Sequence, residues 1–146
     1  MCIRDRPREK DDTDTVYALK EALRRGFDDF LLLGVLGGRL DHTLGNISML
    51  LKLDRLGIRA MAVDDFSEME VVSASPAFID CSYPYFSLLN VTGTARGICI
   101  KNAKYPLKDA EITCESQYGV SNEALPGMTA EVTVGEGRLL LVKVLP

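Results

Sequence analysis

Two rhythms of apolar residues divide the chain. Between residues 14 and 57 they recur at helical spacing. Val16, Leu19, Ala22 and Leu23 form one stripe, and Ile47, Leu50, Leu51, Leu53 and Leu56 a second. Between the stripes lies a continuous apolar run, Phe30-Leu31-Leu32-Leu33, which predicts a buried strand. Ile58 to Val63 predicts another. Helix, strand, helix, strand is the order of parallel α/β layering. Asp11 or Thr13 is placed to cap the first helix, with acidic residues in its first turn. Arg24, Arg25 and Gly26 suit its end, and Leu56-Gly57 ends the second helix.

From Glu68 the helical rhythm stops. Short runs rich in Val, Ile, Thr and Tyr alternate with turn residues, predicting strands at Met69–Ala74, Ala77–Cys81, Tyr85–Val91, Ala95–Ile100, Ala110–Cys114, Thr129–Val134 and Leu139–Val144. Gly93, Gly97, Pro106, Gly127, Gly135 and Gly137 punctuate them. The expected fold is α/β plus all-β: a truncated, Rossmann-like parallel α/β layer over residues 8–66, then an antiparallel β-sandwich over residues 67–146. Met1-Cys2-Ile3-Arg4-Asp5-Arg6 resembles a translated cloning scar and is excluded from fold reasoning. It has no apolar h-region and does not read as a signal peptide.

Composition narrows the function. Hydrophobic residues make up 47% of the 146 and charged residues 26%, a globular balance. A net charge of −4 argues against nucleic acid as the main partner, and no apolar run is long enough to span a bilayer. Cys2, Cys81, Cys99 and Cys114 are far apart with no C-x-x-C pair, which argues against zinc and for free thiols in a cytoplasmic protein.

The candidate chemistry sits where the first strand turns into the second helix: Gly34-Val35-Leu36-Gly37-Gly38-Arg39-Leu40-Asp41-His42-Thr43-Leu44-Gly45-Asn46. Ligands of open α/β sheets bind outside the carboxyl ends of strands, and a helix N-terminus favours an anion. Arg39 adds a fork for phosphate oxygens. Asp41 is able to hold a metal, take a proton or simply cap the helix. His42, the only histidine, reads as a general acid or as a hydrogen-bonded structural residue.

The order G-x-L-G-G-R-L-D-H-x-L-x-N closely resembles the signature loop of thiamine pyrophosphokinases, which move pyrophosphate from ATP to thiamine. Lys10-Asp11-Asp12-Thr13-Asp14 resembles a second motif of that family, one helix and one strand earlier. Phe86-Ser87-Leu88-Leu89, Gly97-Ile98, Tyr105-Pro106-Leu107 and Gly119-Val120-Ser121-Asn122-Glu123 resemble its sandwich, so the resemblance runs from about Glu9 to the end. It implies a thiamine diphosphokinase making thiamine diphosphate and AMP. Asp41 and Arg39 would be catalytic, and Asp14 and Asp11 would hold Mg²⁺. Lys10, Thr13, Gly37, Gly38, Arg39 and Asn46 would bind ATP, and Ser121, Asn122, Asp41 and His42 thiamine. The thiamine pocket would be completed across a homodimer. One departure stands out: the family's opening α/β segment, with a G-D-x-D-S motif whose aspartates hold Mg²⁺, has no counterpart before Glu9. The expectation is therefore a fragment of impaired activity. The alternatives are a module that binds thiamine or its diphosphate without turnover, and an unrelated phosphohydrolase using Arg39, Asp41 and His42. The lack of a second histidine or a carboxylate-rich cluster counts against the latter.

Overall fold

The computed structural model describes residues 13–146. The elements run α1 (Asp14–Arg24), β1 (Asp29–Leu33), α2 (Leu40–Arg55), β2 (Arg59–Val63), β3 (Ser67–Val72), β4 (Ala77–Asp80), β5 (Phe86–Leu89), β6 (Thr94–Lys101), β7 (Leu107–Thr113), β8 (Gly119–Asn122), β9 (Thr129–Thr133) and β10 (Leu139–Val144). The capping residue of α1 is Thr13, whose Oγ1 accepts from the Val16 N–H at 3.3 Å. At α2 the N-cap is Arg39 and not Asp41, which lies inside the first turn. The buried stripe of α2 is Asn46, Met49, Leu50 and Leu53, whereas Leu56 is exposed. Asn46 thus takes a buried place that an apolar-only reading of the stripe passes over.

Two sheets stack beneath the helices. A six-stranded sheet has the order β1-β2-β3-β10-β5-β8, and a four-stranded one the order β4-β9-β6-β7. Among the described residues only β1 and β2 pair in parallel; the other pairings are antiparallel. The sheet crosses residue 66 without a break, because β3 pairs β2 on one side and β10 on the other. An eighth strand beyond Glu68, β8, joins the seven that the patterning predicts. At four residues, two of them exposed, it is too short and too polar to announce itself.

Strand β10 shows how the layers are joined. Leu140 and Val142 pack with Leu19, Leu32, Met49, Leu50, Leu53 and Ala62 under the helices, while Leu139 and Leu141 pack with Phe86, Leu88, Ile98, Ile112 and Val132 between the sheets. The period-two alternation of a strand here serves two cores instead of one core and solvent. Arg138 Nη1 donates to the Leu51 carbonyl at 2.8 Å, and Ser73 Oγ to Asp54 Oδ1 at 2.8 Å, tying the sandwich to α2.

Beyond the four-stranded sheet the lower face of the large sheet carries charge. Buried Lys143 lies 2.8 Å from Glu68 and 3.4 Å from Glu70, and Tyr83 donates its hydroxyl to Glu68 at 2.9 Å. The Lys143 ammonium holds the Glu68 carboxyl below its ordinary value of 4.5, against the opposing effect of burial. A carboxyl depressed on folding contributes stability that is complete above its ordinary value and is lost as the pH falls through the lowered one. Glu68→Gln is expected to cost about 1–3 kcal/mol near neutral pH. It is also expected to flatten the acid limb of the stability curve below pH 4.5, the ordinary carboxyl value. Urea denaturation from pH 3 to 8 measures both; an acid limb identical to that of the unmutated chain would count against the assignment.

Candidate functional site

The turn between β1 and α2 is built by two side chains that reach back from the helix. Asn46 Nδ2 donates to the Val35 carbonyl at 2.6 Å. Thr43 Oγ1 accepts from the Gly37 N–H at 3.2 Å and lies 3.4 Å from both the Gly37 and Arg39 carbonyls. Gly37 has φ 129°, a backbone state that suits glycine, and open space lies where a Cβ would stand. The loop is therefore pinned at Val35 and Gly37, with open space beside the Cα atoms of Gly37 and Gly38. Thr43 was not singled out by sequence. Its signal is its place one turn into a helix, where a hydroxyl can reach back to the preceding loop.

Arg39 and Asp41 meet at the head of α2. Arg39 Nη2 lies 2.5 Å from Asp41 Oδ2 and Nε 3.2 Å from Oδ1, a two-pronged pair. Both are open to water, with side-chain exposures of 70% and 64%. The guanidinium holds the Asp41 carboxyl below the ordinary carboxylate range, and the Asp41 carboxylate raises Arg39. His42 is exposed on the same turn.

Asp14 reaches the same end of the sheet by topology. Eleven residues of α1 and five of β1 both span about 16 Å, and the short connection at 25–28 turns the chain back, so the start of α1 lies level with the end of β1. A cleft of about 660 Å³ along α1, lined by Asp14, Tyr17, Glu21 and Phe27 among others, does not include Arg39 or Asp41. The expectations for Lys10, Asp11 and residues 1–7 lie outside the described residues. Among the described residues no three His, Cys, Asp or Glu side chains cluster as metal ligands.

Ser121 and Asn122 lie at the same end of the large sheet but on its opposite edge. The cross-strand row runs Leu33, Val63, Glu68, Lys143, Phe86, Asn122. Five strand spacings separate β1 from β8, about 24 Å. One protomer does not bring the two sets together. Ser121 is exposed with φ 57°, a left-handed state costing about 1–3 kcal/mol for a residue with a Cβ. Its N–H donates to Ser87 Oγ at 3.0 Å. Gly119 makes β8 possible: a Cβ there would stand 2.8 Å from the Leu88 carbonyl oxygen. Asn122 is buried and turned inward. Its Oδ1 accepts from the N–H groups of Tyr105 and Glu123, and its Nδ2 donates to the Tyr105 carbonyl at 2.8 Å. Its amide fixes the Tyr105-Pro106 segment beside Ser121.

A glycine-arginine turn at the carboxyl end of a parallel strand, on a layer fused through one sheet to an antiparallel sandwich, defines a class of two-part α/β and all-β proteins. Within it, the family model described as "Thiamin pyrophosphokinase, catalytic domain" matches residues 1–62, and "Thiamin pyrophosphokinase, vitamin B1 binding domain" matches residues 74–139. The chain belongs to the thiamin pyrophosphokinase family. It is 32% identical over 119 residues to a thiamine pyrophosphokinase of Bacillus subtilis (strain 168), covering 80% of this chain and 56% of that protein. The crystal structure of thiamine pyrophosphokinase from Bacillus subtilis superposes with a TM-score of 0.85 at 28% identity, over 94% of this chain and 65% of that one. That of thiamin pyrophosphokinase from Geobacillus thermodenitrificans does so with a TM-score of 0.81 at 30% identity, over 94% and 64%. The chain thus spans a little over half of the first relative's length and just under two thirds of each of these structures.

Asn46→Ala removes the donor that holds the Val35 carbonyl. It is expected to lower stability by about 1–3 kcal/mol and to speed amide exchange at residues 35–38. Hydrogen-exchange mass spectrometry checks this, and unchanged exchange over those residues would mean that the loop stands without Asn46.

Proposed function

We propose that this chain acts in pyrophosphoryl transfer from ATP to thiamine, giving thiamine diphosphate and AMP. The observation that carries the reading is the Arg39–Asp41 pair at the head of α2, on the turn that follows β1, in a chain of this family; the lengths of α1 and β1 support Asp14 at the same sheet end. The thiamine hydroxyl oxygen attacks the β-phosphorus of ATP as the bond from that phosphorus to the AMP oxygen breaks. Asp41 takes the hydroxyl proton, and AMP leaves. Arg39, the loop amides and the head of α2 offset the charge on the phosphate oxygens. Thr13, Gly37 and Gly38 face the nucleotide, with Lys10 beside them by resemblance, and Asn46 serves it by holding the loop.

The donor chemistry fits Mg²⁺, a hard cation bound through one or two carboxylates together with substrate phosphates. Asp14 would hold it, with Asp11 in support; when bound it neutralises charge on the phosphate oxygens. His42 and Ser121 contact thiamine, and Asn122 acts through the backbone it fixes. The 24 Å between the two edges supports a pocket shared across a homodimer, each sandwich edge facing the other protomer's loop. The free thiols of Cys81, Cys99 and Cys114 suit the cytoplasm. A second reading, a module that binds thiamine without turnover, is favoured by one observation: the Arg39–Asp41 pair stands open to water instead of enclosed.

The test is AMP release from Mg-ATP that depends on thiamine, beside calorimetric titration of thiamine and sedimentation. Turnover that Asp41→Asn lowers by about 10²–10⁴-fold supports the transferase. Thiamine binding without AMP supports the module, and absence of both removes both readings. A monomer that binds thiamine with the affinity of the dimer would remove the shared pocket.

A further inference from the structure

We propose that the Arg39–Asp41 pair is a latch which an arriving pyrophosphate group opens, so that binding the anion and freeing the Asp41 carboxylate are one event. This rests on the reading above and adds an order to it: the phosphate-bearing ligand comes first, and Asp41 is engaged until it does. In the structure one edge of the guanidinium, Nε and Nη2, is spent on both carboxylate oxygens of Asp41. A phosphate is able to take a two-pronged grip on that same edge, and on the other fork, Nη1 with Nη2, it shares Nη2 with Asp41.

Three features make the pair easy to open. Arg39 is the N-cap of α2 yet makes no side-chain cap bond, so its side chain can swing without undoing the helix. Both partners are mostly exposed, and an exposed ion pair holds only weakly against water and salt. A pyrophosphate offers several anionic oxygens to Arg39 where Asp41 offers two, and it also meets the positive end of a 16-residue helix, with open space beside the Cα atoms of Gly37 and Gly38 to approach through. Asp41 stays behind on the first turn, with both oxygens released toward the acceptor hydroxyl. Its suppressed basicity in the latched state agrees with this order.

The probe is inorganic pyrophosphate, titrated calorimetrically into the 146-residue chain with a chelator present, so that Asp41 cannot act through a metal. A competing carboxylate removed is an affinity gained. Asp41→Asn is expected to bind pyrophosphate about two- to fivefold more tightly than the unmutated chain, the amount an exposed pair can withhold. In an Arg39→Gln background the same substitution is expected to change the affinity by less than about 1.5-fold, since a cycle of this kind isolates the pairwise effect. An equal gain in both backgrounds would show only the removal of a distant like charge and would overturn the latch. Weaker or unaltered binding by Asp41→Asn would overturn it while leaving the functional reading intact. No saturable binding by any variant would remove the latch together with that reading. Both substituted side chains are exposed and outside either core, so the variants keep the fold.

Discussion

The structure depends on β10 burying both of its faces. Leu139, Leu140 and Leu141 are at most 2% exposed, and each leucine removed from water contributes about 1.5–3 kcal/mol. Because they point alternately to the helix layer and to the second sheet, neither core closes without the last strand of the chain. The carboxyl-terminal residues therefore sit beneath helices made near the amino terminus. The two halves, each matched by its own family model, share one sheet.

A shared sheet is a ruler as well as a core. It holds the Gly37–Arg39 turn and Ser121 at the same end and keeps them on opposite edges. Strand pairing sets that separation, and side-chain motion cannot close about 24 Å. The local devices are matched to this rigid frame. Asn46 and Thr43 hold the turn from within α2, while Gly119 and Asn122 hold the Ser121 edge from within the sandwich. In both places side chains with hydrogen bonds to backbone brace a segment that carries an exposed polar residue: Arg39 in one, Ser121 in the other.

The two polar residues with the most informative surroundings illustrate how far sequence carries. Asn46 and Asn122 both lie within motifs that resemble ligand-binding ones, and both turn out to be buried with their amides on backbone carbonyls. A motif says that a residue matters at a site. It does not say whether the side chain faces the ligand or braces the loop that does, because both roles keep the same residue at the same spacing. Lys143 shows the converse. It falls inside the strand predicted at Leu139–Val144 with no partner in sight, and only the pairing of β10 with β3 brings Glu68 and Glu70 to it and lets it be buried.

The sequence by itself determined the family, the two helices, the places of both parallel strands, seven of the eight strands beyond Glu68 and the turn that carries Arg39 and Asp41. These rest on local periodicity and on residue order, which need no partner segment to be read. It overstated the burial of β1, where Leu31 and Leu33 are exposed and Leu32 is buried. The tertiary structure alone decided that both halves share one sheet, that β8 is a strand, that Asn46 and Asn122 face inward, and that the candidate site is divided between two edges. Each of these is a pairing between residues far apart in the chain, and such pairings are set by which faces can be buried together, a property no single segment carries.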